Sequence, residues 1–270
     1  MTHFAKILVP VDLSARSIAT ARYALWLGAE LGSELVFVHA IEEGWPLDAA
    51  HKAVRDQISK LHGDTQYRFA MREGDPVDVI LATAKGESVD LILMPARAMS
   101  CLSRLLSRSI SLRVIEDAPC PVWAGTLDDL PRHYGKAIRN ILCGLSLGPH
   151  TIQVLRWAAG LSERLGANLS VIHTSAGLDS VPGYPCGQEW AMWIKKMARQ
   201  DIRTLQECAG TSAEVWLEAG RPLPAIPSVA QQMRANLVVI GKSPRKRLLG
   251  GLRAMPYDMI RQAPCPVASV

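Results

Sequence analysis

APCPV is written twice in this chain, at residues 118–122 within EDAPCPVWAG and at residues 263–267 within RQAPCPVASV. Each proline locks its own φ, offers no N–H and pushes the residue before it towards extended backbone, so Pro-x-Pro is a stiff, extended lead-in. The residues behind it are few and mostly apolar: Val122-Trp123-Ala124 in one copy and Val267-Ala268-Ser269-Val270 in the other. A strand behind prolines belongs at the edge of a sheet more often than at its centre. Each copy therefore reads as the closing strand of a unit, and two copies imply two units.

Outward from these anchors the chain repeats itself. ILVPVDLS (7–14) matches ILCGLSLG (141–148), and ELGSELVFVH (30–39) matches RLGANLSVIH (164–173), both at an offset of 134. The offset becomes 146 for Gly74-Asp75-Pro76 against Gly220-Arg221-Pro222 and for DLILMP (90–95) against NLVVIG (236–241), and it is 145 at APCPV. The second unit thus carries about 12 extra residues between His173 and Gly220. Self-similarity at this scale dictates one architecture used twice.

Within the first unit the pattern predicts a strand over 6–11, a helix over 15–31 ending at Gly32, and a strand over 35–40. A helix over 49–62 and a strand over 66–72 come next. Asp75-Pro76 then opens a helix to Lys85, with proline in the first turn where a missing N–H costs nothing. A wholly apolar strand over 91–94, a helix over 103–116 and the APCPV strand complete the unit. Gly166 is expected to end the second unit's first helix as Gly32 ends the first unit's, in the left-handed conformation that glycine adopts freely. Strands that alternate with helices and are apolar on both faces imply a five-stranded parallel sheet covered on both sides. The expected domains are 1–126 and 137–270, joined by the linker LDDLPRHYGK at 127–136.

The bulk numbers agree with a globular chain: 270 residues, 49% hydrophobic and 20% charged, suffice for two buried cores. No apolar run approaches the ~18 residues of a membrane span, and MTHFAKILVP goes straight into a strand pattern, so a cytoplasmic address and no membrane partner are expected. The net charge of +5 is uneven: 13 basic against 15 acidic residues over 1–126, but 15 against 8 over 137–270. These charges spread along helical stretches as solvated faces do, which disfavours nucleic acid as a partner. The six cysteines form no C-x-x-C and no zinc spacing, so neither a metal nor a redox centre is expected.

Taken in order, ILVPVDLS, the His ending the second strand (His39, His173), GDP at 74–76, the apolar fourth strand and the two APCPV segments resemble the universal stress protein family, in its tandem two-domain form, over nearly all of both units. That resemblance implies an α/β fold of doubly wound parallel sheets, of the adenine nucleotide alpha hydrolase-like kind. It also implies domains that pair through their final strands, which would make APCPV a pairing strand of an intramolecular domain pair, with a homodimer a further option. Family members that bind ATP resemble one another in a G-x2-G-x9-G-[ST] loop after the fourth strand and an acidic residue after the first. Here the acid is Asp12, and the resemblance places Pro10, Val11, Ala40 and Met94 around the same adenine position.

The loop, PARAMSCLSRLLSRS (95–109), holds Pro95, Ala98 and Arg108 at the three glycine positions and keeps only Ser109. Proline removes a donor and side chains fill the space phosphates need, so the usual phosphate grip is lost, leaving Arg97 and Arg108 as replacement cations. In the second unit Ser146 replaces the acid, Pro244 fills the second glycine position, and Arg253-Ala254 fill the last pair. Gly241-Lys242-Ser243 imitates the end of a P-loop, but the motif needs glycine where Asn236 stands inside the strand. Arg245-Lys246-Arg247 reads as a solvated basic loop, with the holding of an anion by charge alone as the alternative.

Three functions are compatible with these features. One is a non-enzymatic stress-response protein acting through an unknown protein partner, with degenerate nucleotide loops and no cofactor. Another is a regulatory module that binds ATP or another adenine nucleotide through the first unit. A third, an ATPase or nucleotidyl-transfer relative, lacks the H-x-G-H and S-G-G-x-D-S signatures. The extra segment GLDSVPGYPCGQEWAMWIKKM (177–197) is the first candidate for a partner contact, because Trp and Met are enriched at interaction surfaces. Core packing of Trp190 and Trp193 is the alternative.

Overall fold

The computed structural model describes residues 4–41, 44–61, 65–95, 110–125, 138–175, 187–242 and 255–270, which fall into two units, 4–125 and 138–270. The first contains β1 (Lys6–Pro10), α1 (Ala15–Leu31), β2 (Glu34–Ile41), α2 (Leu47–Ile58), β3 (Tyr67–Glu73), α3 (Pro76–Gly86), β4 (Leu91–Pro95), α4 (Ile110–Asp117) and β5 (Val122–Gly125). Its strands are ordered β3-β2-β1-β4-β5, and every neighbouring pair is parallel. The second contains β6 (Asn140–Gly144), α5 (Thr151–Leu165), β7 (Asn168–Ser175), α6 (Gly187–Ala209), β8 (Glu214–Ala219), α7 (Pro222–Gln232), β9 (Leu237–Ile240), α8 (Met255–Gln262) and β10 (Val267–Ser269). Its order, β8-β7-β6-β9-β10, is that of the first unit, and its ladders are parallel too.

The central strands explain the choice of sheet. Ile7, Leu8 and Val9 in β1 and Leu91, Ile92 and Leu93 in β4 are fully buried, as are Ile141, Leu142 and Cys143 in β6 and Leu237, Val238 and Val239 in β9. Side chains alternate between the two faces of a strand, so burial of consecutive residues requires helices over both. The helix ends obey local chemistry. Ser14 caps α1 by accepting from the Ser17 N–H, and Gly32 (φ 67°) and Gly166 (φ 60°) end α1 and α5 in the left-handed region. Asp75 caps α3 by accepting from the N–H groups of Val77 and Asp78, with Pro76 at the first position.

The two prolines of APCPV have a visible use. Ile92 N–H donates to Pro121 O at 3.0 Å and Val238 N–H to Pro266 O at 3.0 Å, so the second proline opens each closing ladder with a carbonyl while its missing N–H breaks no bond.

Several boundaries move. α2 begins at Leu47 and ends at Ile58 instead of running over 49–62; Leu61 N–H bonds back to Ile58 O in a separate turn. β3 lies one residue later than predicted, and β1 ends at Pro10 rather than at residue 11. The helix expected over 103–116 is described from Ile110 to Asp117; its first half lies outside the described residues. The extra length of the second unit falls partly in α6, which has 23 residues against 12 in α2.

Candidate functional site

In each unit the strand order reverses between the first and fourth strands, β1 beside β4 and β6 beside β9. At such a switch point the connections leave in opposite directions and open a crevice at the carboxyl ends of the strands, the usual ligand position in a doubly wound sheet. Pro10, Val11 and Asp12 leave β1 there, Ala40 lies near the end of β2, and Met94 and Pro95 end β4. The chain thus brings five sequence-predicted residues, Pro10, Val11, Asp12, Ala40 and Met94, to the ends of three adjacent strands. Arg97, Arg108 and Ser109 lie outside the described residues.

The turn after β1 is tightly specified. Val11 N–H donates to Val38 O at 2.9 Å, and Val11 O is bonded by His39 Nδ1 at 2.7 Å. A carbonyl only accepts, so Nδ1 is the donor in this bond. Among the described residues the buried Nε2 has no hydrogen-bond partner, and Trp45 meets the ring edge-on at 5.8 Å. Leu13 then adopts φ 63°, a left-handed conformation that costs a leucine roughly 1 kcal/mol. Asp12 lies in the exposed part of this turn. Its Oδ1 accepts the Ser14 N–H at 3.0 Å and its own N–H donates to Ser17 Oγ at 3.3 Å. The carboxylate is thereby held at the start of α1, where the helix dipole favours negative charge. Because Val11 uses both of its backbone groups internally, the group this turn presents is the Asp12 carboxylate, an acceptor suited to an amino group.

The second unit builds the same turn around a different side chain. Leu145 N–H donates to Ile172 O at 2.8 Å, His173 Nδ1 lies 2.9 Å from Leu145 O, and Leu147 takes φ 55°. At the carboxylate position Ser146 Oγ lies 3.3 Å from Thr151 Oγ1. Across from it Gly241 leaves little room, since a Cβ there would come within 3.2 Å of Val154 Cγ2. His39 and His173, each two residues before the end of its strand, therefore act as braces for the turn. The left-handed leucine had no sequence signal, because leucine is a poor candidate for that conformation.

Burial pushes the Cys143 thiol up to about 12, and burial does the same for Cys265 despite a backbone hydrogen bond from Val238 that favours the thiolate. Both stay protonated at neutral pH and are weak nucleophiles. Among the described residues no group of three His, Cys, Asp or Glu could hold a metal ion, and no helix is long and apolar enough to cross a membrane.

A tandem pair of doubly wound parallel sheets, each with a switch-point turn braced by a histidine, defines the class. The sequence profile of the universal stress protein family matches residues 3–124 and again 137–270, so the chain belongs to the universal stress protein family and carries its domain twice. A Thermus aquaticus protein described as a universal stress protein in a QAH/OAS sulfhydrylase 3′ region is 32% identical over 133 residues, 44% of this chain and 96% of that protein. A universal stress protein of Methanocaldococcus jannaschii is 25% identical over 136 residues, 44% of this chain and 80% of its own length. Among solved structures, a universal stress protein from Archaeoglobus fulgidus superposes with a TM-score of 0.72 at 22% identity, covering 100% of this chain and 97% of that one. A Pseudomonas aeruginosa protein described as a putative universal stress protein gives 0.70 at 20% identity, covering 99% and 93%.

Proposed function

We propose that this universal stress protein is a binding protein without catalysis of its own, acting in the cytoplasm through contacts with other proteins. The observation that carries the reading is the end of β4. Where the family's phosphate grip begins with glycine, this chain has Pro95, which has no N–H to offer a phosphate and whose carbonyl lies 3.4 Å from Ser111 Oγ, the hydroxyl donating to it. The glycines at the next two positions are also replaced, by Ala98 and Arg108.

A second reading, adenine recognition by the first unit, is favoured by one feature: Asp12 presents its carboxylate at the switch point, whereas Ser146 presents only a hydroxyl. In that reading Pro10, Val11, Ala40 and Met94 surround the base, and Arg97, Arg108 and Ser109 face the phosphates.

Titration of labelled ATP against the wild type and Asp12→Ala, with phosphate release measured in parallel, tests both readings. The expected outcome is no turnover above the uncatalysed background, and any weak binding abolished by Asp12→Ala. Turnover by the wild type would end the non-catalytic reading. Tight binding indifferent to Asp12→Ala would place the nucleotide elsewhere.

A further inference from the structure

The long helix α6 has no equal in the first unit, and its sequence divides into three stripes. Ala191, Ala198 and Ile202 are buried and form the face that packs on α5. Trp190, Trp193 and Met197, spaced i, i+3, i+7, form an exposed apolar stripe in which Trp190 is 56% and Trp193 53% exposed. The two indoles stack on each other, with centroids 5.2 Å apart and planes 20° apart. Lys196, Arg199 and Arg203 repeat the same spacing as an adjacent basic stripe, and Met192, 63% exposed, lies one turn before it. Met192, Lys196, Arg199, Arg203 and Glu207 share one open face of the helix along this stripe. Among the described residues no carboxylate lies within ion-pair distance of those three cations.

A contiguous stripe of exposed tryptophan and methionine is costly to leave in water unless something covers it, and the cations beside it give a covering partner its charge complement. We infer that this face of α6 docks an acidic amphipathic helix of a partner protein, its apolar side on Trp190, Trp193 and Met197 and its carboxylates on Lys196, Arg199 and Arg203. The inference rests on the reading that the protein acts through protein contacts. The cations span about 10 Å along the axis, at 1.5 Å per residue, which matches carboxylates placed one helical turn apart. Glu189 and Glu207 close the basic stripe at its two ends, and Asp201 borders the apolar one. A continuous anionic surface such as a lipid headgroup layer or a nucleic acid backbone would be pressed against these carboxylates, whereas a helix with discrete charges avoids them. The stacked indoles also spend one face of each ring on the other, which leaves less for stacking on bases.

The test uses the full chain and a designed peptide helix with leucine at i, i+3, i+4, i+7 and glutamate on the flanks, monitored by tryptophan fluorescence and by anisotropy of a labelled peptide. Binding should saturate, weaken with added salt, and fall about tenfold or more in Trp190→Ala/Trp193→Ala and in Arg199→Glu/Arg203→Glu. All four positions are exposed, and circular dichroism checks that the variants stay folded. Equal binding of the same peptide with lysine in place of glutamate would overturn the inference. So would a silent peptide, with or without a response of these tryptophans to phosphatidylserine vesicles or a polythymidine oligonucleotide. ATP turnover alongside the expected peptide binding would end the non-catalytic reading and leave the docking surface standing; a silent peptide without turnover would do the reverse.

Discussion

Lys6 in the first unit and Asn140 in the second stand at the same place, the start of the first strand, and make the same bonds with different chemistry. Lys6 N–H donates to Asp90 Oδ2 at 3.0 Å and Lys6 Nζ to Glu87 O at 3.0 Å. Asn140 N–H donates to Asn236 Oδ1 at 3.0 Å and Asn140 Nδ2 to Met233 O at 3.2 Å. Around Lys6 the corner is ionic: Arg68 donates to Glu34 Oε1 at 2.7 Å and forms a two-pronged pair with Glu87, whose Oε2 also lies 3.5 Å from Lys6 Nζ. Around Asn140 the side-chain bonds are made by amides, with Asn168 Nδ2 donating to Asn140 Oδ1 at 3.2 Å. The backbone demands a partner for each N–H and C=O at the strand entrance. It does not demand that the partner be charged, so the two units meet one requirement with two sets of residues. The switch-point turns behave alike, sharing a brace and a left-handed leucine while differing in Asp12 against Ser146.

The sharpest way to break this equivalence is in the closing strands, where Trp123 and Ala268 hold matching positions and both are fully buried. Trp123 meets Tyr23 edge-on at 6.0 Å. Trp123→Ala should cost about 3–5 kcal/mol through lost contact and the cavity left behind, measured by denaturant unfolding. A cost under about 1 kcal/mol would show that the first unit can close on the small residue that the second uses.

A smaller effect is expected where α1 crosses β2. A Cβ on Gly28 would meet Thr65 Cγ2 at 2.7 Å and Leu35 Cδ2 at 3.0 Å, whereas the matching residue of α5 is Ser162, whose hydroxyl donates to Ala159 O. Gly28→Ala should therefore destabilise by about 1–3 kcal/mol in spite of alanine's better helix propensity. A gain in stability would show that Thr65 yields without strain.

The smallest effect concerns pH. The Arg68 hydrogen bond, ahead of its charge and the contributions of Lys6, holds the Glu87 carboxyl below its ordinary value of 4.5. A lowered pKa means that the folded state binds the proton less readily than the unfolded one, so this stabilisation is complete above the ordinary glutamate range. It is lost as the pH falls through the lowered value. Glu87→Gln should flatten the acid limb of the stability curve, whereas Met233→Gln, at the matching position of the amide corner, should leave it unchanged. An unaltered acid limb in Glu87→Gln would show that solvent screens the pair completely.

The fold was legible because a repeat doubles every signal. Helix ends at Gly32 and Gly166, the Asp75-Pro76 start and the strand behind APCPV each stand within a residue or two of where the pattern placed them, since capping and proline geometry act locally. Less of the site was legible. The carboxylate at Asp12 was found through the resemblance, but the turn that aims it depends on a leucine at positive φ and on a histidine 28 residues away. The exposure of Trp190 and Trp193 was equally open from sequence, where a helix start rich in tryptophan fits a core as well as a surface.

By itself, then, the sequence determined that there are two parallel α/β units, that each closes on an APCPV strand, and which of them keeps an acid after its first strand. These come from periodicity, proline and glycine, whose effects reach only a few residues along the chain. Tertiary structure alone decided that both histidines brace a strained turn, that one strand entrance is ionic and the other amide, and that α6 turns its tryptophans outward. Each of those depends on which groups from distant segments arrive within hydrogen-bonding or packing distance, and only the folded sheet brings them there.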